Sequence, residues 1–375
     1  MFLTVALVLE VIVVGGLLLI QPYIVRRGLL FGVYIGEERW AGDEARAITR
    51  RWTNGMLAGM GVGLVLGLLV VTLGGAPEPV GLLTCTLVIL LTSYGVYLRA
   101  YFTAKRLAVP GRPRAAATLV PDAAYSLLLP LLSLVVALAG GAIAIGYAWL
   151  HYDSLPPVVP THFGPSGRPD AWSPRSFWSV MLLPLAALLI PAALGAAACL
   201  TARAKRAIRL SDKGASVAAQ MRFRGATASF LSGTVILVAV MTSTMSVFSV
   251  RSAMGASEGL PAWTLALAVV LVVYAVGGSL YIAFRYGQGG ARLERETAGA
   301  PLTNGVADNS CWYLGGFYVN GNDPSILVEK RFGIGYTLNF GNPKAVALLV
   351  VFLAIVATIA ISGLMTPQTH TAPVR

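Results

Sequence analysis

Three groups of residues carry side chains that could do chemistry. Glu10 falls about halfway along an apolar run, roughly 12 Å from its start at 1.5 Å per residue. A charged carboxyl at that depth costs several kcal/mol, so Glu10 is expected to be neutral or paired. It serves either ion or solute handling or a hydrogen bond to another helix, with Thr242, Ser243, Thr244 and Ser246 of a later run as candidate partners. The second group lies in 151–175, HYDSLPPVVPTHFGPSGRPDAWSPR, where His151, Asp153, His162 and Asp170 supply two imidazoles and two carboxylates. Such a set can hold a zinc-type ion, with His151 and His162 as candidate ligands, or His162 and Asp170 can instead tie down the loop's backbone. The HExxH spacing is missing, and a membrane metalloenzyme would need those two histidines within ligand distance of each other. The third group is aromatic: Trp312, Tyr313, Phe317, Tyr318, Phe332, Tyr336 and Phe340 form either a partner-binding face or a membrane-surface anchor. No Ser/His/Asp set, phosphate-binding glycine loop or catalytic carboxylate pair can be assembled, so neither enzymatic activity nor a cofactor is expected.

The elements that must position these residues are membrane helices. Of 375 residues 56% are apolar and 12% charged, against roughly 45–50% and 25% in soluble domains. Eight apolar stretches are long enough to span a bilayer, near 2–20, 54–74, 80–102, 124–150, 177–201, 227–250, 262–284 and 344–364. The first lacks a basic leader and a small-residue cleavage site, so it reads as a retained helix rather than a signal peptide. Of 28 Lys and Arg, 24 fall in the first, third, fifth and seventh connections, which the positive-inside rule places in the cytoplasm, with both termini outside. That pattern predicts a multi-pass protein of a bacterial plasma membrane. It also accounts for the net charge of +12 without nucleic acid as a partner. Cys85, Cys199 and Cys311 have no spacing that suggests a disulfide or zinc.

Within this frame the fold class is all-α, with one small β-hairpin in the seventh connection, around the turn Asn320-Gly321-Asn322-Asp323-Pro324. Gly55, Gly59, Gly63 and Gly67 recur every fourth residue and form one bare helix face for close packing, within the bundle or between copies. Pro130, Pro184 and Pro191 fall inside spans four and five and are candidate kinks. The fifth connection is basic and expected to lie near anionic headgroups. Pro156, Pro160 and Gly167 should make 151–175 a stiff, ordered loop folded over the outer ends of spans four and five, with His162 and Asp170 partly buried.

Tyr152, Asp153, Leu155-Pro156, Pro160, His162, Gly167 and Asp170 together resemble the signature of a bacterial domain of unknown function that is also found in SdpI-type immunity proteins. Phe31-Gly32-Val33-Tyr34-Ile35 with Glu37-Glu38-Arg39 resembles the cytoplasmic segment of the longer relatives, with Gly36 where Pro is expected. Trp312, Gly316, Tyr318, Asn320, Asp323-Pro324, Phe332-Gly333 and Asn339 resemble a second uncharacterised domain that accompanies the first. The resemblance implies protection against a membrane-active toxin, or envelope-stress sensing. Its implied partners are a secreted toxin peptide or a cytoplasmic regulator, besides the lipid bilayer. A small-solute or ion transporter using Glu10 is the alternative. Five consecutive regions follow: 1–123 with three helices, 124–202 with the signature, 203–284, the aromatic segment 285–343, and 344–375.

Overall fold

The computed structural model describes residues 2–109, 126–164, 166–201, 204, 213–293 and 309–365. In chain order the elements are α1 (Phe2–Glu10), a π-helical turn (Val11–Gly15), α2 (Gly16–Leu19), α3 (Gln21–Ile24), β1 (Leu29–Leu30), β2 (Val33–Tyr34), α4 (Glu37–Trp40), α5 (Asp43–Thr72) and α6 (Glu78–Lys105). There follow α7 (Leu128–Leu150), β3 (Val158–Phe163), β4 (Pro169–Pro174), α8 (Phe177–Thr201), α9 (Lys213–Ala253) and α10 (Ala262–Arg285). Last come β5 (Trp312–Tyr313), β6 (Phe317–Tyr318), β7 (Leu327–Glu329), β8 (Tyr336–Leu338) and α11 (Pro343–Met365). Among the described residues six helices are long and apolar enough to cross a membrane, and two shorter apolar helices lie at Leu3–Leu19 and Pro343–Thr358. The chain is a membrane protein.

Several elements run past the limits the apolar runs suggested. α5 starts at Asp43, eleven residues before the second run, with Asp43 and Glu44 in its first turn where the helix dipole favours acids. α9 begins at Lys213, so the end of the basic fifth connection is helical. Its Ala, Gln, Met and Arg residues form helix readily whether or not they lie in lipid. The remaining cations of that connection, and Arg112 and Arg114 of the third, fall outside the described residues.

The chain divides into two compact units. The first takes Met1–Val120, Ala204–Phe223 and Tyr281–Asn342. Its framework is the antiparallel pair α5 and α6, closed along the glycine stripe. A methyl placed on Gly59 would overlap the Thr92 side chain, one on Gly55 would lie 2.8 Å from Val96 Cγ2, and one on Gly67 2.8 Å from the Gly81 carbonyl oxygen. The stripe therefore faces the next helix of the same chain. At the Arg50, Arg51 and Arg99 end of this pair, Phe31, Trp52, Tyr97 and Phe332 pack ring against ring, with Phe332 4.8 Å from Tyr97 and 5.3 Å from Phe31 between centroids.

The second unit takes Pro121–Arg203, Arg224–Leu280 and Pro343–Arg375. α7 and α8 pack closely, because Gly141 sits against Leu188 and Gly195 against Leu134. α8 runs through both Pro184 and Pro191, which lie on its buried side. Phe230 of α9 stacks on Tyr274 of α10 at 5.5 Å, and α11 lies against α8.

Four two-stranded antiparallel sheets are present among the described residues, where one hairpin was expected. In the seventh connection, β5–β6 and β7–β8 are separate hairpins, and Asn320–Pro324 joins them rather than forming the tip of one. The actual tips are Leu314-Gly315, both at positive φ, and the loop closed by Lys330 N–H donating to the Gly335 carbonyl.

Candidate functional site

Between α7 and α8, the signature residues Pro160, His162, Gly167 and Asp170 lie on the β3–β4 hairpin, and Tyr152, Asp153, Leu155 and Pro156 on the segment leading into it. Val158 pairs with Pro174, Val159 with Ser173, Pro160 with Trp172 and His162 with Ala171, and irregular register on both sides of His162 admits an extra residue. Prolines are tolerated because each strand has a free edge. Leu155 and Val159 bury against Ala148 of α7, Val180 and Met181 of α8, and Val250 of α9, so the hairpin is seated on three helix ends. On the same inner side Ser173 is fully buried, and its hydroxyl meets that of Thr161 at 3.2 Å.

Two further contacts hold the hairpin at its base and tip. At the base Arg175 donates to the carbonyls of Leu155 at 2.6 Å, Asp153 at 3.2 Å and Tyr152 at 3.4 Å, with its guanidinium 5.8 Å from the Tyr152 ring centre. At the tip Gly167 has φ +78, its carbonyl accepts from Leu260 N–H at 2.8 Å, and a methyl on it would lie 2.8 Å from the Leu260 carbonyl oxygen. Only glycine combines that conformation with that approach.

His162 and Asp170 are paired, His162 Nδ1 donating to Asp170 Oδ1 at 2.5 Å across the strands. Their side chains are 64% and 48% exposed, which corrects the expected partial burial: each points away from the apolar seat. His151 is engaged elsewhere, its Nδ1 2.9 Å from the Tyr147 carbonyl and its ring 4.3 Å from that of Tyr147. Asp153 is exposed, Pro156 half-buried and Pro160 buried. Among the described residues no group of three or more His, Cys, Asp or Glu could hold a metal ion.

The first unit holds a second assembly, which the sequence presented as two separate loops. The tip of β1–β2, Phe31-Gly32, lies against the tip of β5–β6, Leu314-Gly315, so closely that a methyl on Gly32 would overlap Gly315 backbone. Tyr97 donates to the Leu314 carbonyl at 2.7 Å. Asn309 pairs with the Tyr34 backbone as an added strand residue would, and also accepts from Arg331 at 2.8 Å. The fully buried Asn339 donates to the carbonyls of Asn320 and Asp323 and accepts from the N–H groups of Asn320 and Gly341. Arg26 is paired with Glu329 at 3.2 Å, both about nine-tenths buried, and Gln288 donates to the carbonyls of Lys330 and Gly335. Burial lowers the Lys330 pKa from its ordinary value. Gly36 has φ +83, a conformation closed to proline, so the glycine there is a requirement of this backbone.

Glu10 directly precedes the π-helical turn and takes a hydrogen bond from Thr86 Oγ1 of α6 in the same unit, not from the serine and threonine cluster of α9. Its Oε2 is buried with no hydrogen-bond partner among the described residues.

Residues 140–188 match a domain of unknown function, DUF1648. The matched stretch is the hairpin with the adjoining parts of α7 and α8. Residues 322–346 match a family of unknown function, DUF5808, spanning the Asn339-centred turn, β7–β8 and the first turn of α11. No curated protein and no solved structure matches the chain.

Sequence reasoning overlooked Arg175, Tyr97, Gln288, Asn309 and the Gly259-Leu260 seat of the hairpin tip. Arg175 carried a usable signal, as one of only two cations in a loop expected to face outward, just before a helix.

Proposed function

We propose that this chain is a bacterial plasma-membrane protein of eight spans with both termini outside, and that the β3–β4 hairpin is its outer recognition element. In this reading it works as SdpI-type immunity proteins do, meeting a secreted membrane-active toxin peptide or reporting envelope stress. The observation that carries the reading is the mounting of the hairpin. Apolar residues and Arg175 fix its base and Gly167 its tip, while the His162–Asp170 pair is left exposed. A rigid display of polar groups suits binding, because little ordering entropy is lost on contact. The joined tips in the first unit would offer a cytoplasmic regulator its platform. Direct nucleic-acid binding and enzymatic activity form no part of the proposal.

The test is survival of bacteria challenged with a panel of membrane-permeabilising peptides. Cells making the wild type should survive better than cells without it, and His162→Ala with Asp170→Asn should abolish the difference at equal membrane abundance. Equal survival of all strains against the whole panel overturns the immunity reading.

Transport is the second reading, and the buried Oε2 of Glu10 beside a π-helical turn favours it. It requires proteoliposomes that pass protons or sodium ions and lose that flux in Glu10→Gln.

A further inference from the structure

The β5–β6 hairpin separates its aromatic residues by face. Trp312 lies under the Arg331 guanidinium, 4.7 Å from ring centre to Cζ, and Tyr318 is buried with its hydroxyl donating to Asp323 Oδ2 at 2.9 Å. Tyr313, Phe317 and Val319 alternate with them and share the opposite face. They are 58%, 48% and 38% exposed. Phe340 extends this face, its ring 5.5 Å from that of Phe317, and the apolar helix α11 begins three residues later at Pro343.

The depth of the hairpin follows from α6. Tyr97, whose hydroxyl holds the Leu314 carbonyl, is eight residues before the end of that helix at Lys105, about 12 Å at 1.5 Å per residue. Arg99 lies two residues beyond Tyr97, and Trp52, packed in the same aromatic group, directly follows Arg50 and Arg51. Basic residues next to aromatic ones mark the boundary between hydrocarbon and headgroups.

We propose that Tyr313, Phe317 and Val319 form a lipid anchor that enters the headgroup region of the leaflet at the Arg99 end of α6. Three side chains fall short of the roughly 800 Å² per partner that a stable protein interface buries, whereas interfacial anchoring takes only a few aromatic residues. The inference holds whichever side of the membrane this leaflet faces.

Fluorescence quenching in proteoliposomes of phosphatidylcholine and phosphatidylglycerol tests it. Phe317→Cys, Val319→Cys and the exposed turn residue Asn322→Cys are each labelled with bimane in a chain whose Cys199 and Cys311 are replaced by alanine, the fully buried Cys85 being kept. Lipids with a nitroxide near the headgroup should quench at 317 and 319 several-fold more than at 322, and aqueous iodide should do the reverse. Val319→Cys keeps both aromatic residues and reads the same face if Phe317→Cys does not fold. Equal iodide quenching at all three positions overturns the proposal, and is the result expected if the face instead serves a protein partner.

Discussion

The Arg175 guanidinium reaches three carbonyl groups at the foot of the hairpin. Arg175→Ala should destabilise the protein by about 1–2 kcal/mol, toward the low end of the range for hydrogen bonds made by a charged group because the side chain is exposed. All three bonds come from one nitrogen, Nη1, so Arg175→Lys, whose ammonium is also a single multi-donor nitrogen, should rescue part of the loss. Thermal unfolding in detergent, with protease cleavage between 154 and 160, measures both effects. Lys330 gives a pH prediction. Its folded pKa lies below its unfolded value, so between the two the unfolded chain binds more protons and stability rises with pH. The gain is complete above the unfolded pKa, and below the folded pKa the full burial penalty persists. Lys330→Met should therefore raise the melting temperature at neutral pH and flatten its rise toward alkaline pH. An unchanged profile in that variant would show that other groups cause the slope. At this scale the sequence exposed His162, Asp170 and Gly167 as a set but not their environment. Pairing across two strands depends on register, and a loop dense in proline conceals register.

Helices were far more legible than strands, because twenty apolar residues are a strong signal and two-residue strands are almost none. The glycine stripe of α5 could be read from spacing alone, since recurrence at every fourth residue fixes one face. What spacing could not give was the neighbour, and the structure places α6 there. Gly59→Leu and Gly63→Leu should lower folded yield, because leucine at 59 would run into Thr92 and at 63 into the Cys85 carbonyl, 3.1 Å from even a methyl. Gly61 is the control on the same helix: it is exposed, nothing lies within 4 Å of an added methyl, and Gly61→Leu should keep the wild-type yield. If all three variants behave alike in size-exclusion chromatography, the tight α5–α6 contact is wrong. The paired tips of β1–β2 and β5–β6 stayed hidden for a related reason. They join residues nearly three hundred positions apart through glycine backbone, which leaves no hydrophobic pattern to follow.

Over the whole molecule the distribution of cations, the exposed aromatic residues and the hairpins bear on one question, which way the chain crosses the membrane. Trp149 at the end of α7, Phe177 and Trp178 at the start of α8, and Trp263 at the start of α10 are all exposed, at the helix ends that border the β3–β4 hairpin and its tip contact. An aromatic belt there sets the hairpin just beyond the hydrocarbon. If the spans alternate as proposed, the connections on that side hold only Arg168, Arg175 and Arg251, and 24 of the 28 cations fall in the connections of the other side. Lys and Arg close to the ends of spans favour the cytoplasmic side, so the hairpin side should be outside. The protein carries the means to check this. Ser166, exposed at the hairpin tip, becomes an outward reporter as Ser166→Cys, and Cys311 in the seventh connection is the inward one. A membrane-impermeant maleimide should modify Ser166→Cys in intact spheroplasts and leave the wild type unmodified, and permeabilisation should then add modification at Cys311. Modification of Ser166→Cys only after permeabilisation reverses the orientation, and the hairpin could not then meet a toxin arriving from outside.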